Sequence, residues 1–117
     1  MSQANTGPRA FIAGEDLESY RRVKLSVGSG TQVEYADAGE EFIGVTAAKT
    51  LAGDFVAVNL KTRGRTFKLV AADAISAGDS FYGATDGKIS ATLSGTAQGT
   101  LLETSAADSE VVEAILA

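Results

Sequence analysis

The sequence predicts an all-β fold of short antiparallel strands. Polar and apolar residues alternate with a period of two, and a short turn phrase of two small residues and an acid recurs before apolar stretches. The five phrases are Ala13-Gly14-Glu15, Ala38-Gly39-Glu40, Ala52-Gly53-Asp54, Ala77-Gly78-Asp79 and Ala106-Ala107-Asp108. Glycine supplies the positive φ of tight turns and the acid bonds nearby backbone N–H groups, so the phrases mark corners between strands.

Residues 1–14 are predicted to form a flexible N-terminal arm, and residues 15–117 a single all-β domain. The arm contains the only proline, Pro8, and a lone apolar pair, Phe11-Ile12. It has too little apolar surface to stay ordered by itself. Two interpretations remain open: an arm that orders on a partner, and a frayed terminus without a role.

The first hairpin is predicted from alternation. Residues 22–27 alternate between polar and apolar side chains, with Arg22 on the polar face, and residues 32–35 do the same. The turn Gly28-Ser29-Gly30 lies between the two stretches, which therefore form a hairpin of half-buried strands. A third short strand is predicted over residues 42–46, after the second turn phrase.

Two more hairpins are predicted from turn dipeptides. Arg63-Gly64 is the two-residue turn of a long hairpin over residues 56–71, whose strands share one apolar face. Asp86-Gly87 is the turn of a shorter hairpin that pairs Ala84 with Ile89. Both assignments depend on the turn being two residues long.

The two halves of the chain resemble each other weakly. Residues 30–60 align with residues 87–116, with one or two single-residue shifts, and Gly44 then falls on Gly99. This predicts a duplicated or pseudo-symmetric all-β structure. Residues 111–116 fit a helix as well as a strand, and the internal repeat favours the strand.

Composition and charge exclude several functions. The chain has 117 residues with 44% hydrophobic but only 7% aromatic residues and no tryptophan, so part of its stability is expected to come from association. Its 10 basic and 15 acidic residues give a net charge of -5, which repels a phosphate backbone and argues against nucleic-acid binding. No apolar run has the length of a membrane span, and no secretory signal is recognisable, so a cytosolic product without a membrane partner is expected.

No catalytic site, metal site or cofactor is predicted. The chain lacks histidine and cysteine, which excludes thiolate zinc sites and Ser-His-Asp or Cys-His catalysis. Asp54 and Asp79 are the candidates for an enzyme that uses carboxylates alone. Both occupy the acidic position of the recurring turn phrase, which Glu15 and Glu40 fill in two other copies. Because the length of the acidic side chain varies at this position, a turn-forming role is favoured. The glycine-rich turn lacks the context of a phosphate loop.

Charge is distributed unevenly along the chain. No acid occurs between Asp54 and Asp73, and the C-terminal stretch is acidic. The basic residues of the middle stretch form a predicted basic tip, which consists of Lys61, Arg63, Arg65 and Lys68. The tip either meets an acidic surface of another copy or partner, or protects an edge strand from unwanted pairing.

Several segments resemble the capsid decoration, or cement, proteins of tailed bacteriophages. These segments are residues 22–25, 33–36, 39–46, 52–58 and 77–90, and residues 99–116 look like the usual ending of such proteins. The resemblance covers residues 20–116. It implies a small β-barrel or tulip-like sandwich fold, a homotrimer, no enzymatic activity, and binding to the outside of the head at local threefold positions.

On this resemblance the expected function is that of a structural virion protein, made in the host cytoplasm, that bridges major capsid subunits. The expected contact residues are Arg9, Phe11 and Ile12 in the arm and Lys61, Arg63 and Arg65 at the basic tip. The alternative is a small β-clip-like module that binds a ligand or carbohydrate. Its pocket would be lined by Tyr20, Tyr35, Phe81 and Tyr82.

Overall fold

A computed structural model describes residues 9–61 and 65–116, which form ten β-strands and one turn of 3-10 helix. The first five strands are β1 (Arg9–Ala13), β2 (Arg22–Leu25), β3 (Gln32–Tyr35), β4 (Gly44–Thr46) and β5 (Phe55–Leu60). The second five are β6 (Thr66–Val70), β7 (Ser80–Gly83), β8 (Ile89–Ser90), β9 (Gly99–Leu101) and β10 (Val111–Leu116). The described residues contain no α-helix, so the predicted all-β fold is confirmed.

The first five strands close into a barrel in which the neighbours follow the order β1-β3-β2-β4-β5, and β5 pairs back with β1. All pairs are antiparallel except β1 with β3. The second five strands form an open sheet in the order β6-β10-β9-β7-β8. Among the described residues, the two ends of this sheet are joined by an isolated parallel bridge between Ala71 and Ile89.

The predicted duplication is present in the strand order. Each strand of the first half has a counterpart five strands later with the same neighbours, so β6 lies beside β10 as β1 lies beside β5. Outside the strands, the antiparallel bridge between Leu17 and Thr50 has its counterpart between Ile75 and Ser105. The parallel bridge of Ala71 repeats the parallel pairing of β1 with β3.

Gly44 and Gly99 occupy equivalent positions, and the structure gives the reason. A Cβ on Gly44 would lie 2.5 Å from the carbonyl oxygen of Asn59, on the neighbouring strand. A Cβ on Gly99 would collide in the same way with the carbonyl oxygen of Ile115. Close approach of two backbones therefore requires glycine at this point of both halves.

Each half has its own apolar core. The barrel encloses one cluster, which includes Leu17, Val23, Val33, Val56 and Val58. The open sheet covers the other, which includes Phe67, Leu69, Phe81, Ile89, Leu101 and Val112. Ala36, Phe42 and Val45 come from the first half but pack in the second cluster, so the halves share buried surface.

The prediction of a flexible arm over residues 1–14 is wrong for residues 9–13. These residues form β1, which pairs with β5 along one edge and with β3 along the other. Phe11 is only 3% exposed and Ala13 is also buried, because a short apolar segment is ordered once the sheet takes up its backbone hydrogen bonds. Residues 1–8 lie outside the described residues.

The predicted hairpin over residues 56–71 is also wrong. β5 pairs with β1 and β4, whereas β6 pairs with β10. The apolar residues of both strands face inward as predicted, but they face two different cores. Alternation fixes the side on which a residue lies and leaves the partner strand open. Residues 62–64, which include the expected turn, lie outside the described residues.

The other two predicted hairpins are both present, but only one has the predicted register. The β2–β3 hairpin is confirmed, with Val23 opposite Tyr35. In the β7–β8 hairpin the register is shifted by one residue, since Gly83 rather than Ala84 lies opposite Ile89. The shift arises because the connection is a three-residue turn, Thr85–Gly87, in which Asp86 adopts a positive φ of 55°. Residues 111–116 form β10, as the internal repeat predicts.

Candidate functional site

The outer face of β1 and β5 carries an apolar patch. Ile12 lies opposite Phe55 and Ala10 lies opposite Ala57 in the antiparallel pairing of these strands. Their sequence neighbours Phe11 and the valines of β5 point into the barrel, so strand alternation turns these four residues outward. Phe55 is 76% exposed. We call Ala10, Ile12, Phe55 and Ala57 the outer apolar patch.

The second half has a smaller version of this patch. Val70 and Val111 lie opposite each other at the positions equivalent to Ile12 and Phe55. Val70 is buried and Val111 is 48% exposed. Duplication therefore places apolar residues at the same point of both halves, but only the first half exposes an aromatic side chain there.

The structure separates the three contact residues predicted near the N-terminus. Ile12 lies on the outer apolar patch, whereas Phe11 is buried inside the barrel and unavailable to a partner unless the barrel opens. Arg9 is exposed, and its guanidinium carbon lies 5.1 Å from the centre of the Phe11 ring. Phe55 was not among the predicted contact residues, although Val56 and Val58 point inward and alternation therefore predicts that Phe55 faces outward.

The residues of the predicted basic tip engage local partners. Lys61 Nζ lies 3.3 Å from Glu41 Oε2 and 4.8 Å from the centre of the Phe42 ring. The guanidinium carbon of Arg65 lies 4.8 Å from the centre of the Phe67 ring. Lys61 and Arg65 are both exposed, and Arg63 lies outside the described residues.

Arg22 connects the two halves from a fully buried position, although the alternation of β2 predicts a polar outer face for it. Its Nη2 donates hydrogen bonds of 2.8 Å to the carbonyl oxygens of Ala36 and Ala84. Its Nε donates to the carbonyl oxygen of Lys88 at 3.0 Å, and Nη1 donates to Gln98 Oε1 at 3.2 Å. One guanidinium thus binds acceptors from both halves.

Burial lowers the pKa of Arg22 to about 10, and the negative charges of Asp37 and Glu40 counteract this effect. The side chain therefore remains a cation at neutral pH. Its hydrogen bonds go to carbonyl and amide oxygens, whose dipoles replace the lost water. Arg22 is accordingly a structural cation that holds the halves in a fixed relation.

A cleft of about 350 Å³ lies between the halves. The first half lines it with Tyr20, Val45, Thr46 and Asn59, and the second half with residues 65–68 and Glu113. Of the aromatic residues expected to line a ligand pocket, Tyr20 lies at this cleft, while Phe81 is buried in the second core. Tyr35 packs against the first core and accepts a hydrogen bond from the Glu18 N–H at its hydroxyl. Tyr82 lies in β7, and the lining of the cleft includes none of Tyr35, Phe81 and Tyr82.

Both acids singled out in the sequence lie in turns. The Asp54 N–H donates a hydrogen bond of 3.1 Å to the carbonyl oxygen of Leu51, and the Asp79 N–H donates one of 3.1 Å to that of Ser76. In the described part of the chain, no group of three acidic residues is placed to hold a metal ion. The same residues include no helix long and apolar enough to cross a membrane.

Comparisons with known proteins agree with this architecture. The model of the phage cement protein family matches residues 13–116. Among solved structures, the N-terminal base of head fiber gp8.5 from bacteriophage phi29 is similar in fold, with a TM-score of 0.77, 19% sequence identity, and coverage of 94% of this chain and 92% of that one. No curated protein matches the chain. The chain therefore belongs to the phage cement protein family, whose members are structural proteins of the phage head.

Proposed function

We propose that this protein binds the outer surface of a phage head and stabilises the shell by bridging neighbouring major capsid subunits. The observation that carries the proposal is the outer apolar patch, where Phe55 is 76% exposed on the face of a closed barrel. An exposed aromatic residue beside Ile12 favours a protein partner over solvent. Membership of the phage cement family makes the head shell the expected partner.

Burial of the outer apolar patch is the proposed source of binding energy. Covering one exposed Phe or Ile side chain contributes about 1.5 to 3 kcal/mol. That is modest for one site, and a homotrimer with three copies of the patch would multiply it through effective concentration. We therefore propose a trimer at local threefold positions of the shell, where each copy of the patch contacts one capsid subunit.

Bridging also favours a rigid protein, because a flexible link does not fix the spacing between the subunits that it joins. The closed barrel has no free edge at its β1–β5 seam, and Arg22 fixes it to the second half through hydrogen bonds to both. The Arg22 side chain therefore supports the proposed function from outside the contact surface. Arg9 and Ile12 remain proposed contact residues, while Lys61 and Arg65 are proposed as a second, basic contact.

Co-sedimentation with heads that lack this protein tests the proposal. We expect Phe55→Ser to weaken binding about tenfold or more, equivalent to about 1.4 kcal/mol or more. Val111→Ser changes the equivalent position of the second half and serves as the matched control. Equal binding by the Phe55 variant and the unaltered protein would contradict the proposal, as would equal losses in both variants, provided that both melt at the temperature of the unaltered protein.

A further inference from the structure

β6 has an edge without a strand partner at Thr66–Lys68. β6 is the terminal strand of the open sheet and pairs with β10 along one edge. Over Thr66–Lys68 no described strand pairs with its other edge, since β8 reaches this edge only beyond β6, at the isolated bridge between Ala71 and Ile89. We propose that this edge binds an extended acidic segment of a partner polypeptide, which adds to the sheet as a sixth strand.

The directions of the backbone groups along β6 follow from two hydrogen bonds. Ala71 N–H donates to the carbonyl oxygen of Glu110, on the β10 side, at 2.8 Å. Val70 N–H points the other way and donates to the carbonyl oxygen of Tyr20 at 3.2 Å. Because successive residues of a strand alternate, the N–H groups of Thr66 and Lys68 point to the same side as that of Val70. Tyr20 thus occupies the backbone donor of Val70, while the backbone N–H groups of Thr66 and Lys68 point away from β10.

The cleft of about 350 Å³ between the halves lies along this part of β6. Thr66 and Lys68 belong to its lining, together with the buried side chains of Val45 and Phe67. Side chains of an added strand would point alternately to the two faces of the sheet. The side chains on one face of the added strand would lie beside Lys68, and those on the other face would lie toward the apolar lining of the cleft. The bound segment should therefore alternate acidic and apolar residues.

Charge favours an acidic occupant. Arg65 and Lys68 are exposed at the cleft, in a stretch without acids from residue 55 to residue 72, although the whole chain has a net charge of -5. Glu113 is the one acid in the cleft lining, and its Oε2 already accepts a hydrogen bond of 2.8 Å from the Thr66 hydroxyl. Strand addition would provide affinity through the backbone, and the basic residues would select the partner.

Two octapeptides test the proposal with the full chain, one alternating glutamate with valine and the other alternating lysine with valine. Fluorescence anisotropy should show about tenfold tighter binding of the glutamate peptide at low salt, a preference that added salt reduces. Amide exchange by NMR should slow at Thr66 and Lys68 when that peptide binds. The amides of Phe67 and Leu69, which face β10, are the internal control. Equal binding of both peptides, or unchanged exchange at Thr66 and Lys68, would overturn the proposal.

Two substitutions at one position separate the backbone from the charge. Lys68→Pro removes an N–H that points away from β10, and such a proline is tolerated on an edge strand. Lys68→Gln removes only the charge. We expect Lys68→Pro to abolish binding of the glutamate peptide and Lys68→Gln to weaken it. Binding by a folded Lys68→Pro variant as tight as that of Lys68→Gln would contradict strand addition, and the exchange measurement decides the matter if the proline variant does not fold.

Discussion

A Cβ on Gly83 would lie 2.9 Å from both Nη1 and Nη2 of Arg22. The missing side chain of a residue in the second half therefore makes room for a cation that belongs to the first. Gly87 approaches the backbone of Arg22 equally closely, since a Cβ on Gly87 would lie 2.6 Å from the Arg22 carbonyl oxygen. The junction between the halves is built from this close approach, which explains why a buried arginine is tolerated in a small all-β protein.

Gly83→Ala should destabilise the protein by about 1 to 3 kcal/mol, because the new methyl group displaces the Arg22 guanidinium from its acceptors. Urea denaturation measures the change in the free energy of unfolding. Gly30→Ala is the control, since a Cβ on Gly30 meets no atom within 4 Å and its φ is not in the positive range. If both variants unfold at the same urea concentration, the proposed packing against Gly83 is incorrect.

Arg22→Met should cost about 3 kcal/mol or more, because several buried carbonyl groups lose their donor together. Arg22→Lys should recover only part of this loss, since an ammonium group cannot reach acceptors that a planar guanidinium spans. Lys24→Met on the same strand is the control, and it should cost much less than Arg22→Met because Lys24 forms partly exposed ion pairs. Similar losses for Arg22→Met and Lys24→Met would refute the role of Arg22 at the junction.

Stability should fall in acid partly through Glu40. A hydrogen bond from Lys24 Nζ at 2.6 Å, and a second from the Asp37 N–H, lower the pKa of Glu40 below its ordinary value of 4.5. The contribution of the carboxylate is therefore complete above about pH 4.5 and is lost as the pH falls through the lower folded value. Glu40→Gln should show a shallower loss of stability below that pH.

Lys24→Gln completes a thermodynamic cycle for this acid dependence, measured by urea denaturation at a series of pH values. It should reduce the slope below pH 4.5, but less than Glu40→Gln does, because the Asp37 N–H still binds the carboxylate. The double variant should show a slope close to that of Glu40→Gln, since both changes remove the same ion pair. An unchanged slope in Glu40→Gln would show that other carboxyl groups account for the acid dependence.

Truncation tests whether β1 belongs to the barrel. Deletion of residues 2–8 should leave the circular dichroism spectrum and melting temperature close to those of the full chain, because it leaves β1 (Arg9–Ala13) intact. Deletion of residues 2–12 should prevent folding, since it removes most of a strand that pairs on both edges and carries the buried Phe11. A folded protein after the longer deletion would contradict the barrel.

Local patterns predicted the parts of the fold that depend on neighbours in the chain. The β2–β3 hairpin follows from alternation around one glycine turn, and β10 follows from the internal repeat. The partners of β5 could not be predicted, since several strands present equivalent apolar faces and topology decides among them. Alternation also misplaced Arg22, because its buried environment comes from loops far along the chain.

The candidate site was predicted in part. Ile12 does face outward, but the same reasoning grouped it with Phe11, which the barrel buries. Phe55 follows a turn phrase and precedes two inward valines, so its outward direction was accessible from the sequence. Its exposure was not, because the sequence does not say whether another layer covers that face of the sheet.

Cryo-electron microscopy of heads with and without this protein tests the central proposal most directly. We predict additional density on the exterior of the shell at local threefold positions, with the β1–β5 face directed toward the capsid and Phe55 at the contact. Density that is absent or inside the shell would contradict the proposal. Exterior density in which Phe55 faces solvent would contradict the assigned contact surface.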